Sequence, residues 1–305
     1  TLLTFFINVK SQNRVYVKDD KLTPREHNVD MQKLLLDISF QPKLGKVIGN
    51  VSLTFTPLQK KIDSLFLDAP GIEIHSILMA EKKIDFSQNE KGITLLFTNS
   101  LNWNKNYTIT IDYHCFPRKG IYFIGWNDQK NLSRKQIWTQ GQGTDNRYWI
   151  PHYDGMNDKL ITELIIHFDK NYKVLSNGNL IEKIKEENDL LKWHYKMTKP
   201  QASYLIMLGI GQYDILEKIS ENGTPLNLWY YPDWENRVPY TYYLSKEMFD
   251  YFEKEIDVPY PWNSYSQIPV QDFMYGAMEN TTATLFGDFY FIDSVGFNDR
   301  NYVYV

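Results

Sequence analysis

The sequence predicts a mainly β fold, and three observations carry that expectation. Aromatic residues make up 15% of the chain, with 22 Tyr, 17 Phe and 8 Trp, a composition that favours sheet packing. Apolar residues alternate with period two over much of residues 31–168, as half-buried strands require. Clusters of Asn, Gly, Asp and Lys separate the runs, supplying the turns that antiparallel neighbours need.

Leu34, Leu36, Ile38 and Phe40 share one face of a first strand, with Lys33, Asp37 and Ser39 among the residues opposite. Gln41-Pro42-Lys43-Leu44-Gly45 has turn chemistry, and Val51, Leu53 and Phe55 then resume the alternation, so an antiparallel hairpin is the shortest connection. Similar runs occur at Ile93/Leu95/Phe97, Tyr107/Ile109/Ile111/Tyr113 and Leu164/Ile166/Phe168. Strands at this spacing predict an antiparallel sandwich or a saddle-shaped sheet of about 200 residues. The pattern changes after Gly211, beyond the last β-like stretch at 204–210. Residues 226–231 read as a strand, and residues 239–257 as the strongest helix. At about 100° per residue, Leu244, Met248, Phe249, Phe252 and Ile256 fall on one side of that helix, opposite Lys246, Glu247, Asp250, Glu253 and Lys254. Pro239 suits its first turn, and Val258-Pro259 with Pro261 closes it. Residues 264–273 again look strand-like. The change of pattern near Tyr213 divides the chain into a β domain, 1–213, and a mixed α and β part, 214–305. The apolar opening at 1–9 fits a strand or the remnant of a secretory h-region, so the compartment is left open between export and cytoplasm. Residues 301–305 form another β-looking run.

Composition narrows the function classes. The formal net charge is −4 and no Lys/Arg block stands out, so no nucleic-acid partner is expected. No apolar run reaches the length of a membrane span. Cys115 is the single cysteine and forms no intrachain disulfide. The histidines, at 27, 75, 114, 152, 167 and 194, never pair at i and i+4, the spacing of a helical zinc site. Serine-hydrolase, phosphate-loop and dinucleotide motifs are absent as well. His152, after Pro151 and beside Tyr153-Asp154, reads as a hydrogen-bonded histidine at a turn rather than an acid-base group.

The segment Tyr275-Gly276-Ala277-Met278-Glu279-Asn280 is the most informative. A glycine beside an extended edge lets a second backbone approach closely, and strand addition would hold a peptide there. Glu279 would then meet a cation. On physics alone, a β-turn with a solvated glutamate is the preferred alternative.

Gly276-Ala277-Met278-Glu279-Asn280 resembles the G-x-M-E-N signature of the aminopeptidase N and leukotriene hydrolase family of zinc metallopeptidases. Further motifs agree in order: Gln140-Gly-Gln142 running into Arg147 and Pro151, then Asp154 and Lys159, then Ser176-Asn177-Gly178. Met156 departs from the proline that the family often has after the aspartate. The resemblance implies a saddle-like N-terminal β domain, then the first part of a thermolysin-like α/β catalytic domain. It implies that Glu279 and Gln142 bind the free α-amine of a peptide substrate. Gly276 and Ala277, with Met278 of the same string, would lie along its backbone, and Gln140 ranks lower because an extended segment turns it to the opposite face. Charge-assisted hydrogen bonds to the ammonium would fix the scissile bond one residue from the end, over zinc.

In the family the zinc-binding H-E-x-x-H helix comes roughly two or three dozen residues after G-x-M-E-N. Only 25 residues lie beyond Asn280 here, so the expectation is a truncated chain with no catalytic residue, no metal ligand and no activity of its own. Zinc would then belong to the full-length parent. An exposed apolar helix face would give such a chain a surface for self-association. Two alternatives stay open: a non-catalytic protein-binding relative, which downstream sequence would reveal, and a β-sandwich carbohydrate or adhesion module, which a glycan array would test. The latter leaves the amphipathic helix and the Gly276 segment without a role.

Overall fold

The computed structural model describes residues 27–299; the runs expected at 1–9 and 301–305 lie outside them. A nine-stranded sheet forms the first layer. Across it run Asn179–Lys185, Leu190–Lys196, Lys159–Asp169, Val29–Gln41, Lys46–Pro57, Tyr107–Cys115, Ile72–Met79 and Lys82–Lys83, with Gln201–Ala202 pairing at the Lys159 end. The first two strands in sequence make the expected hairpin, Gln41 opposite Lys46. Val29–Gln41 pairs on its other side with Lys159–Asp169 in parallel, which the long connection between them permits. Leu34, Leu36 and Ile38 are each at most 1% exposed, so the period-two face is the core face; burying one such side chain contributes about 1.5–3 kcal/mol.

A three-stranded sheet, Lys61–Asp68, Gly92–Asn102 and Asp85–Gln88, shares this core through Leu65, Leu67, Ile93 and Leu95. The outward face of the nine-stranded sheet is polar, with Ser52 facing Thr110 at 3.0 Å and Thr54 facing Thr108 at 2.9 Å. A four-stranded sheet, in the order Lys173–Ser176, Leu208–Gly211, Gln136–Thr139, Ile121–Ile124, leads toward the second part of the chain.

From Asp214 onward the strands belong to a separate five-stranded sheet, ordered Asp214–Ile219, Pro225–Tyr230, Tyr265–Val270, Ala283–Gly287 and Ala277–Met278. Two of its pairings are parallel. Ile268, Val270, Phe273, Met278 and Leu285 nevertheless join the same apolar cluster as the earlier sheets. Mainly β architecture is therefore what the structure shows.

The helix expected over 239–257 is broken in two, Val238–Thr241 and Ser245–Ile256. The break has a physical cause at Tyr242. Its ring packs edge-on against Phe291, its hydroxyl donates to the Trp229 carbonyl at 2.6 Å, and its own carbonyl accepts from Lys218 Nζ at 3.4 Å. Anchoring that ring in the small core beside Leu228 and Val238 outweighs continuation of the helix. Phe249 of the second helix packs on Tyr260 and Tyr265, while Met248, Phe252 and Ile256 are 39%, 58% and 64% exposed.

Candidate substrate-binding site

The Gly276 to Asn280 string forms the edge of the five-stranded sheet. Ala277 and Met278 pair with Phe286 and Leu285 of the inner neighbour, and the other edge of this short strand has no partner strand among the described residues. Gly276 has φ +85° and its carbonyl accepts from Gly287 N at 2.7 Å. A side chain there would strain the backbone and bring its Cβ to 3.0 Å from Tyr290 Oη. Beyond it the alternation is strict: Met278 and Asn280 are buried, Ala277 and Glu279 exposed. Glu279 is therefore exposed to solvent just past the edge strand. Both amide atoms of buried Asn280 lack a hydrogen-bond partner.

Asn177 holds the chain just beyond Asn280. Its Nδ2 donates to the carbonyls of Thr281 at 2.7 Å and Leu205 at 2.9 Å, and its Oδ1 accepts from Met207 N at 2.7 Å. Gly178 N donates to Thr282 Oγ1 at 2.7 Å. Gly178 itself has φ +82°, and a Cβ there would lie 2.2 Å from the Lys196 carbonyl oxygen. The Ser-Asn-Gly turn is thus a clamp on the Glu279 segment.

The second wall is the strand Gln136–Thr139 and the loop after it. Gln271, just before the edge strand, is tied to it three times: Arg134 N donates to Gln271 Oε1 at 2.8 Å, Gln271 N to Gln136 Oε1 at 2.9 Å, and Trp138 Nε1 to the Gln271 carbonyl at 3.0 Å. Trp138 also meets Phe273 edge-on. Past this strand Gln140 is buried, with Oε1 unpartnered, whereas Gln142 is exposed. The strand ends at Thr139 and Gln142 lies in a turn, so the two glutamines differ in burial without being alternate residues of one strand.

The loop after Gln142 is pinned by buried polar groups. Asn146 donates to the Ser203 carbonyl at 2.8 Å and accepts from Trp149 Nε1 at 2.9 Å. Asp154, 1% exposed, accepts from Arg147 N at 3.1 Å, Arg147 Nε at 3.2 Å and Ser203 Oγ at 3.1 Å, and stands 3.3 Å from His152 Nε2. Arg147 also meets Asp68 at 3.2 Å. Burial alone would raise the Asp154 carboxyl, but His152 and Arg147 hold it below its ordinary range. Burial likewise opposes charge on His152, yet Asp154, the Ile150 carbonyl and Asp68 lift it above its ordinary value of 6.5. His152 is a buried, hydrogen-bonded histidine, its Nδ1 2.8 Å from the Ile150 carbonyl oxygen, and its backbone forms a β-bridge with Asp68 rather than the expected turn. Arg147 and Asp154 are scaffold.

Sequence reasoning passed over Asp145, Tyr122 and Tyr275, which share this neighbourhood. Burial pushes Asp145 up, Lys119 opposes that, and Asp154 adds to it. Tyr122, stacked on Trp138, is raised by burial and then by Asp145 and Tyr275. Asp145 and Tyr275 lie close to the Gln-x-Gln and Gly276 strings in sequence, whereas Tyr122 reaches them only by pairing across strands with Trp138.

No H-E-x-x-H string occurs in the 305 residues, and Glu279 belongs to no group of three metal donors among the described residues.

Known proteins share both parts of the chain. A family model described as the Peptidase M1 N-terminal domain matches residues 23–205, more than half of the chain. One described as the Peptidase family M1 domain matches residues 240–300. A leucyl aminopeptidase of Saccharolobus solfataricus is 27% identical over 262 residues, which cover 85% of this chain and 31% of the relative. Bovine (Bos taurus) glutamyl aminopeptidase is 30% identical over 153 residues, 50% of this chain and 16% of its own. Human (Homo sapiens) endoplasmic reticulum aminopeptidase 2 is 25% identical over 234 residues, 76% of this chain and 23% of its own. The chain spans less than a third of the length of these relatives.

Proposed function

The chain belongs to the M1 family of peptidases, and from that premise we propose that it carries the part of a zinc-dependent aminopeptidase that binds the substrate's N-terminus. One observation carries the reading: exposed Glu279 directly follows an edge strand whose outer side has no partner strand among the described residues and whose approach is bonded to the strand leading to Gln142. A peptide added along Ala277 and Met278 would take main-chain hydrogen bonds from that edge. Its α-ammonium would meet the Glu279 carboxylate and the Gln142 amide oxygen, a charge-assisted pair of acceptors. A chain end, rather than an internal peptide, satisfies them, which is the selectivity of an exopeptidase.

Zinc in the parent would polarise the scissile carbonyl and activate water. No residue of this chain is assigned to hold it, and activity is proposed for the parent and not for residues 1–305 alone. The change of sheet between Gly211 and Asp214 supports a boundary near Tyr213 between a β domain and the start of the peptidase domain. The exposed apolar side of the Ser245–Ile256 helix supports self-association of this chain.

The test is Glu279→Gln in the full-length enzyme, which nearly keeps shape and removes charge. A hydrogen bond to a charged group contributes about 1.5–3 kcal/mol, so kcat/KM for free peptides should fall roughly ten- to a hundredfold. N-acetylated peptides, which lack the ammonium, should be much less affected. Equal slowing of free and acetylated peptides, or none, would make Glu279 a structural turn residue.

A further inference from the structure

Away from the amine-binding region, the outer face of the nine-stranded sheet brings together Glu73, His75 and His114, whose ligand atoms all lie within 4.8 Å of one another. Glu73 stands directly across from His114 in the antiparallel pairing of Ile72–Met79 with Tyr107–Cys115. His75 reaches the same place because the register shifts between Ile74 and Ser76; a bulge adds one residue to its strand and re-aims the side chain. The two imidazoles stack with centroids 4.8 Å apart, and His75 Nε2 is 2.7 Å from His114 Nδ1. The Glu73 carboxylate faces both rings, 3.5 Å from His114 Nε2 and 4.0 Å from His75 Nδ1.

The next rows of the same face are made differently. Asp112 is shared by Asn50 and Ser76, and Ser52 meets Thr110, so hydroxyls and amides answer one another there. In the row of His114, the neighbour on the other side is Ile48, which offers no polar group. Two imidazoles and one carboxylate are left facing each other at an accessible surface.

We propose that Glu73, His75 and His114 form a binding site for a first-row divalent transition metal, zinc foremost, separate from the family's catalytic zinc. Two histidines, a glutamate and water make an open tetrahedral zinc set, and imidazole donors select zinc, nickel or copper over magnesium or calcium. Metal–ligand bonds of about 2.0–2.2 Å place neighbouring donors ~3.3 Å apart, and with one ligand atom taken from each residue the three donors already stand within 4.8 Å of one another. His114 is held edge-on by Phe116 and is 15% exposed, while His75 and Glu73, 48% and 68% exposed, are free to close on an ion. The bound ion would tie the bulged strand to its neighbour. A bound ion here would revise the expectation of no metal ligand in residues 1–305, which rested on the missing H-E-x-x-H helix and on the absence of helical or Cys/His zinc spacings, whereas these donors come from positions 73, 75 and 114.

The test is a zinc titration of the chelator-treated 305-residue chain by calorimetry, with Co²⁺ absorption as a spectroscopic reporter. One saturable site per chain is expected. His75→Ala or His114→Ala should weaken zinc binding by more than about 100-fold, since even outer-shell partners of a metal site cost 10- to 100-fold, and should abolish the Co²⁺ visible band. Circular dichroism of each variant checks that the sheet stays folded. Absence of saturable zinc uptake by the wild-type chain, or unchanged affinity in folded His114→Ala, overturns the proposal.

Discussion

The loop that presents Gln142 and the edge strand that presents Glu279 are built in opposite ways. Asn146, Arg147 and Asp154 fasten the loop to Ser203, Trp149 and Asp68 from several sides. The strand Ala277–Met278 has a single neighbouring strand among the described residues, and Ala277 and the following Glu279 are exposed. One wall is over-determined and the other is left open along its backbone. Under the proposed function the contrast would suit an extended chain end: the open edge would accept the backbone, and the fixed wall would keep an acceptor in place so that less ordering is required on binding.

The sharpest way to break this contrast is to loosen the fixed wall at Asp154. Asp154→Ala takes from Arg147 one of its two buried carboxylates, leaving Asp68, and from His152 its nearest anion, and losing one partner of such a pair costs about 3–5 kcal/mol. Denaturant unfolding should show a loss of that order, and a loss below about 1 kcal/mol would mean that the wall is not held there. Acidity should act on the same node. The Asp154 carboxyl is held low, so its contribution is present above the ordinary carboxylate range and lost as pH falls through its depressed value. His152 is lifted above 6.5, so its contribution is complete below that ordinary value and lost as pH rises through the raised one. Unfolding free energy against pH should therefore peak between the two, and Asp154→Ala should flatten both limbs.

A smaller effect is expected from the clamp on the open wall. Asn177→Ala removes the partner of Met207 N and of two carbonyls. Leaving buried groups unpaired costs about 1–3 kcal/mol. In the full-length enzyme KM for free peptides should rise with it, because the edge strand loses its support. Unchanged KM together with lowered stability would separate the clamp from the site.

Much of this was legible in the chain. Period-two patterning located the core faces of the strands, because a sheet buries alternate residues whatever lies around it. The break at Tyr242 was not legible: its cause is a hydroxyl bonded to Trp229 and a ring packed on Phe291, contacts between distant positions that no local propensity records. Nor was the meeting of His75 with His114, which depends on a bulge and a cross-strand register. The motif Ser176-Asn177-Gly178 was visible as a string, but its work as a clamp on Thr281 and Thr282 emerges only in three dimensions.

The central claim is that the two walls converge on one ammonium, and a double-mutant cycle tests it most directly. Glu279→Gln, Gln142→Ala and the double variant would be compared in the full-length enzyme by kcat/KM on free peptides. Groups that share a ligand couple by about 0.5–3 kcal/mol, so the double variant should lose measurably less than the two single losses added together. Strict additivity would show that Glu279 and Gln142 act on different parts of the substrate, and would contradict the account.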